Sequence, residues 1–302
     1  MDFFNNTSAL NVLSSAATST ISGTNGDNVA QDEGGMRLLD LSGNCSFLNS
    51  TFGGNSIAHV VRVVNTSGTL ALTVNGSTFT NPTLATGDDG LFFEAGGTAT
   101  ITANVFGNTF TANKGDHFQA SALNSGNLNI SFKGNTLTGG HATALGAGVT
   151  INAATGVPSY AGTVNYDIDG NTINGAVSNA ITVNLGTSSS AALFNGFIRN
   201  NLIGTAGSAK SGSLQANGIG IDAHGNGTHT CAVTGNSVIE AFDRGISVLV
   251  NDGTTGILNL TVQGNDLDQS VSSDPLGSRE SFFLNNDSST TNVFNQVDAA
   301  TL

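Results

Sequence analysis

Charged residues make up only 10% of this 302-residue sequence, against a usual ~25%. It holds no tryptophan, 3 prolines and 2 cysteines. Each shortage excludes something. With 38% hydrophobic residues and so little charge, the chain lacks the low-hydrophobicity, high-charge signature of disorder. Lys and Arg number 8 against 21 acidic residues, a net charge of −13 with a pI near 4.3. That sign repels phosphate backbones and anionic membrane surfaces, so neither nucleic acid nor membrane insertion is expected. No apolar run reaches the ~18 residues of a membrane span. Cys45 and Cys231 lie far apart without a CxxC, which excludes a disulfide framework. The opening MDFFNNTSALN has neither a basic n-region nor an apolar h-region. If the parent protein is exported, this chain is an excised segment or has lost its signal. Helix formers are few, while 40 glycines join abundant Asn, Thr and Ser. The composition reads as all-β with many turns.

What is present is a repeat. The phrase apolar-x-apolar-x-Gly-Asn recurs as LDLSGN ending at Asn44, LTVNGS at Ser77, ANVFGN at Asn108 and ISFKGN at Asn135. It returns as YDIDGN at Asn171, GFIRNN at Asn201, CAVTGN at Asn236 and LTVQGN at Asn265. The mean spacing is about 32 residues. Two places before the Gly stand Leu41, Val74, Val105, Phe132, Ile168, Ile198, Val233 and Val262. Two places earlier come Leu39, Leu72, Ala103, Ile130, Tyr166, Gly196, Cys231 and Leu260. Mostly polar residues separate them, the period-2 alternation of a strand with one buried face. A short second strand follows, marked by Phe79, Phe110, Leu137, Ile173, Ile203, Val238 and Leu267, with Ser46 or Phe47 in the first copy. A third strand buries pairs such as Val61/Val63, Leu91/Phe93, Phe118/Ala120 and Ile246/Val248. None of these segments folds alone, so each must cover its apolar face with the next repeat. The recurring Asn predicts a side-chain ladder along one corner.

Phrases such as FGNTF, IDGNTI and VTGNSV–FDRGISV resemble the repeats of the pectate-lyase-like superfamily over about residues 37–285. The resemblance implies an all-β, single-stranded right-handed parallel β-helix of about eight or nine coils with three strands each. Residues 37–285 form that helix, 1–36 an atypical first coil or cap, and 286–302 a tail or last partial coil. Gly/Ser/Thr-rich stretches at 80–87, 152–162, 186–192, 204–216 and 269–279 read as loops between strands. The superfamily spans polysaccharide lyases, glycoside hydrolases, epimerases, tailspikes, autotransporter passengers and adhesins, so it implies the fold and a secreted or bacterial surface setting, but no single activity.

The densest ionisable cluster surrounds the third strand of coils two to four. Asp88, Asp89, Asp116 and His117 are the candidate catalytic residues, and His59, Arg62, Glu94 and Gln119 the candidate substrate contacts. Two carboxylates at strand spacing repel, which splits their pKa values into an acid and a base. His117 would handle protons, and Arg62 would bind a uronate carboxylate. The competing reading is a set of solvated turn residues, since Asp favours such positions. Gly-Asp-Asp at 87–89 and Gly-His at 140–141 resemble pieces of polygalacturonase-like hydrolases, but that family's Asn-Thr-Asp and Arg-x-Lys are missing. A lyase would want Ca²⁺ on Asp88, Asp89 and Asp116; otherwise neither a metal nor another cofactor is expected. Asp167 and Asp169 read as water-facing, and Asp222, His224 and His229 as a polar corner group. Cys231 reads as a core residue, while Cys45 is placed just after the Asn ladder. The expected function is a non-catalytic stalk, adhesin or passenger segment that contacts a polysaccharide or surface glycan. The alternatives are a lyase or hydrolase using the Asp/His cluster, and a trimeric tailspike-like fibre.

Overall fold

The computed structural model describes residues 2–4, 11–13, 19–21, 35–53, 58–81, 87–141, 143–153, 159–186, 192–251, 256–268 and 280–286. Alternating apolar residues turn these stretches into short strands, every one paired in parallel with its counterparts in neighbouring coils. The result is a right-handed, all-β parallel solenoid. Sheet A has ten strands, from Asp2–Phe4 through Met36–Leu39, Val61–Asn65, Leu91–Ala95 and Phe118–Ala122 to Phe282–Asn286. Sheet B has nine, from Asn11–Leu13 through Gly43–Leu48, Thr69–Asn75 and Thr100–Phe106 to Ile257–Gln263. Sheet C has nine, from Ser19–Ile21 through Ser50–Gly53, Thr78–Thr80 and Thr109–Thr111 to Asp266–Asp268. Strands at Asp2–Phe4, Asn11–Leu13 and Ser19–Ile21 thus give residues 1–36 one strand in each sheet. Residues 287–302, all of the stretch 269–279, and 82–86, 154–158 and 187–191 within the stretches 80–87, 152–162 and 186–192 lie outside the described residues.

The registers follow the repeat. In sheet A, Val61, Leu91, Phe118, Val149, Ile181, Ile219, Ile246 and Phe282 stand in one column. In sheet B, Val74, Val105, Phe132, Ile168, Ile198, Val233 and Val262 do the same. These sheet-B side chains are all buried in one continuous core. Sheet C contributes an aromatic stack, with Phe52, Phe79 and Phe110 ring centroids 5.2 and 4.9 Å apart. At the sheet B–sheet C corner, Gly76 and Gly107 adopt positive φ, and Asn200 takes the same conformation where Gly is absent.

The Asn that follows forms a buried ladder. Each Oδ1 of Asn135, Asn171, Asn201, Asn236 and Asn265 accepts both the backbone N–H and the side-chain amide of the preceding rung, at 2.9–3.1 Å. Each Nδ2 also donates to a sheet-B carbonyl, as from Asn171 to Phe132 at 3.0 Å. Ser77 and Ser50 continue the series: Ser77 N–H donates to Asn108 Oδ1, and Ser50 N–H to Ser77 Oγ.

One copy stands in a different register from the expected one. Leu39 ends a sheet-A strand opposite Val64, residues 40–42 turn the corner, and Gly43 and Asn44 already open the sheet-B strand, so LDLSGN straddles two sheets. The true copy in that coil is CSFLNS: Cys45 pairs with Leu72 and Phe47 with Val74, while Val12 stands opposite Phe47 one coil earlier. Asn49, at φ 49°, takes the Gly position, and Phe52 rather than Ser46 or Phe47 holds the sheet-C place beside Phe79. Cys45 therefore lies in the same inward column as Cys231, and both are free and buried. In that column Gly196 leaves room for Tyr166: a Cβ on Gly196 would sit 2.3 Å from the Tyr166 ring.

Candidate functional site

The expected site residues gather at the corner leading into sheet A, two places before its first inward residue. His59, Asp89 and Asp116 occupy this place in three consecutive coils, and here side chains hold backbone. His59 Nδ1 lies 3.4 Å from the Asp89 N–H. Asp89 Oδ1 accepts the Asp116 N–H at 2.7 Å, and Asp116 Oδ1 accepts the Ala147 N–H at 2.6 Å. Two coils on, Asn179 Oδ1 accepts the Asn217 N–H at 3.0 Å. This is a second corner ladder. Its signal in the sequence is a column of unlike acceptors, His59, Asp89, Asp116 and Asn179, broken by Ala147 and followed by Asn217, which donates to Asn179.

Burial sets the electrostatics. Asp89 is only 2% exposed; burial, then the Asp116 and Asp88 charges, push its carboxyl well above the usual range. Burial also raises half-buried Asp116, against hydrogen bonds from Thr150 and Ala147 that act to lower it. Burial lowers His59. His59 stacks on Phe92 at 4.4 Å, and the Arg62 guanidinium lies over the same ring at 5.8 Å. His59 Nδ1 is 3.3 Å from Asp89 Oδ2 and 3.8 Å from Asp88 Oδ2, close enough for the three to share one cation.

The remaining expected site residues have other partners. His117 is buried, and burial lowers it to about 4. Its Nδ1 lies 3.0 Å from Asn113 Nδ2, so in its neutral form it accepts from that amide. Gln119 donates to Ser121 Oγ at 2.9 Å. Glu94 stands opposite Val64 and Ser121 on the outer side of sheet A.

A pH dependence follows from Asp89. Its folded pKa lies above the unfolded value of ~3.9, so ionising it costs stability above the folded pKa and nothing below the unfolded one. Asp89→Asn keeps an acceptor for the Asp116 N–H. In chelator-treated protein it is expected to raise the melting temperature at pH 7–8, with the gain vanishing towards pH ~4. Melting curves of both proteins from pH 4 to 8 check this; a difference independent of pH contradicts it.

Two polar groups differ from their expected arrangement. Asp167 and Asp169 join an inter-coil ion-pair cluster instead of simply facing water. Arg199 binds Asp167 in bidentate fashion at 3.1 and 2.8 Å, and Lys133 pairs with the same carboxylate. Burial acts to raise Asp167, but the hydrogen bonds from Lys133 and Arg199 outweigh it and hold the carboxyl below its usual value. The supposed group of Asp222, His224 and His229 is split by a corner. Asp222 and His224 lie in sheet A, while His229 points into the core, its Nε2 2.8 Å from the Tyr166 hydroxyl. Only residues 225–227 cross from one sheet to the next there.

The outer face of sheet B carries a feature that the sequence reading passed over. A shallow trough of about 580 Å³ runs across its strands. Along it an exposed ladder connects Thr102, Asn129, Asn165 and Asn195. Asn129 Nδ2 donates to Thr102 Oγ1 at 3.3 Å, Asn165 Nδ2 to Asn129 Oδ1 at 2.7 Å, and Asn195 Nδ2 to Asn165 Oδ1 at 3.2 Å. Phe197, 50% exposed, lines the trough, and Arg199 covers part of its ring at 5.4 Å. The signal was the outward column of Thr and Asn beside an outward Phe. Comparisons with protein-family models, with curated proteins and with solved structures find no match.

Proposed function

We propose that this chain is a non-catalytic segment of a secreted or cell-surface protein, a stalk, adhesin or passenger of the pectate-lyase-like kind. Its sheet-B face contacts neutral glycans. The observation that carries the reading is the trough with its amide ladder and exposed Phe197. Amides offer both donors and acceptors to sugar hydroxyls, and the exposed part of an aromatic ring packs against the apolar side of a sugar ring. The partner is neutral because Lys133 and Arg199 are already paired with Asp167 and Asp169, and the chain as a whole is acidic.

Binding to immobilised neutral polysaccharides tests this. Phe197→Ala and Asn165→Ala are expected to weaken retention by about tenfold, the ~1.4 kcal/mol of one lost contact set. Asp89→Asn and Asp116→Asn leave it unchanged. Binding insensitive to Phe197 and Asn165, or no binding to any polysaccharide, overturns the reading.

A second reading, a polysaccharide lyase or glycoside hydrolase, draws on the convergence of His59, Asp88 and Asp89 beside Asp116. Polysaccharide turnover abolished by Asp116→Asn would establish it over the first.

A further inference from the structure

We propose that His59, Asp88 and Asp89 form a divalent-cation site of the Zn²⁺ type that fastens two consecutive coils to each other. Asp89 is 2% exposed, and its Oδ1 is committed to the Asp116 N–H at 2.7 Å. Its Oδ2 is buried with no hydrogen-bond partner, yet it lies 3.3 Å from His59 Nδ1. Burial favours the neutral imidazole, and the Asp89 N–H meets that same nitrogen at a long 3.4 Å, so Nδ1 carries a lone pair that a cation would take over from this weak contact. Two lone-pair atoms at this separation repel unless a proton or a cation stands between them. Asp88 Oδ2, 3.8 Å from the same nitrogen, supplies a third donor.

The separations suit a small ion. Zn²⁺ binds N and O ligands at about 2.0–2.2 Å in tetrahedral geometry, which sets neighbouring ligand atoms about 3.4 Å apart. The three donor atoms lie within 4.8 Å of one another. Donor chemistry selects among ions: one imidazole and two carboxylates suit Zn²⁺ or its transition-metal neighbours, whereas Ca²⁺ takes six to eight oxygens. Asp116 is not a ligand: its carboxylate takes hydrogen bonds from both the Ala147 N–H, at 2.6 Å, and the Thr150 hydroxyl, and it stands outside the converging donor set. The side chain of Asp88 is 55% exposed, leaving a path for entry and a fourth position for water. A cation here also offsets the negative charge that Asp88 and Asp116 bring to bear on buried Asp89.

Titration of tag-free, chelator-treated protein with Zn²⁺ alone tests the site, read by calorimetry and by melting temperature at pH 7.5. The expected result is one equivalent of Zn²⁺ bound with a rise in melting temperature, and no comparable effect of Ca²⁺. His59→Ala and Asp88→Asn should each weaken binding by more than about tenfold, since even an outer-shell partner is worth that much. Asp88 is exposed, so its variant folds and keeps the test decisive. Asp116→Asn should bind Zn²⁺ as the parent does. Absence of stoichiometric Zn²⁺ binding, equal binding by Ca²⁺, or binding unaffected by His59→Ala and Asp88→Asn overturns the proposal. In the first case a proton shared by Asp89 is what separates the two lone pairs.

Discussion

Asn171→Leu should lower the unfolding free energy by about 4 kcal/mol or more, the largest single-residue loss expected in this chain. Leucine nearly matches asparagine in size, so the loss is of hydrogen bonds rather than of space. Asn171 Oδ1 accepts the Asn135 N–H and the Asn135 amide, while its Nδ2 donates to the Phe132 carbonyl and to Asn201 Oδ1. All four partners sit in the buried corner. Each orphaned group there costs about 1–3 kcal/mol, because water cannot replace the lost bond. Asn165→Ala is the natural control. It removes a rung of the exposed sheet-B ladder, where solvent can substitute, and should cost under about 0.5 kcal/mol. Urea denaturation of both variants checks the contrast; equal losses would mean that the corner ladder is ornamental.

Phe110→Ala is expected to cost about 3–5 kcal/mol, through lost transfer free energy and an unfilled cavity. The ring is fully buried. It stacks on Phe79 at 4.9 Å and meets Phe132 at 5.8 Å, bridging the sheet-C stack to the sheet-B column. Neighbouring coils are rigidly hydrogen-bonded on both sides, so the hole cannot collapse cheaply. Phe106→Ala, four residues earlier and 42% exposed, should change stability by less than about 0.5 kcal/mol. Because a solenoid's stability is a sum over neighbouring repeats, hydrogen exchange should quicken first in the coils flanking Phe110. Uniform acceleration along the whole chain would contradict that locality.

The inward columns were legible because burial repeats the same demand in every coil, so Val74, Val105 and Phe132 announce one another. The Asn ladder was legible for the same reason: one residue type meets one need. The first copy misled because Leu39, Leu41 and Gly43 imitate the phrase across a corner, while the true copy hides Gly and Asn as Asn49 and Ser50. Its best clue was Phe52, 27 residues before Phe79, the same step that separates Ser50 from Ser77. The second corner ladder escaped notice because a backbone N–H donates to any lone pair, and His59, Asp89, Asp116 and Asn179 share no single residue type. That chemistry also explains how residues that read as catalytic come to carry structure. The ion pairs of Lys133, Asp167 and Arg199 and the sheet-B trough emerge only once register places residues some thirty apart side by side. His229 was misplaced because a corner, invisible in composition, turns it from the surface into the core.

Spin labels placed along one outward column of sheet B measure the stacking itself. Ala71, Thr102, Asn129, Asn165, Asn195, Thr230 and Asn259 occupy that column in successive coils, and each coil adds about 4.8 Å. Pulsed dipolar spectroscopy with Ala71→Cys paired in turn with Asn195→Cys, Thr230→Cys and Asn259→Cys should give separations near 19, 24 and 29 Å, rising evenly by about 4.8 Å per coil; the native cysteines are buried. Separations that fail to grow with coil number, or that bring Ala71 nearer to Asn259 than to Asn195, would contradict the stacked solenoid and every site built on it.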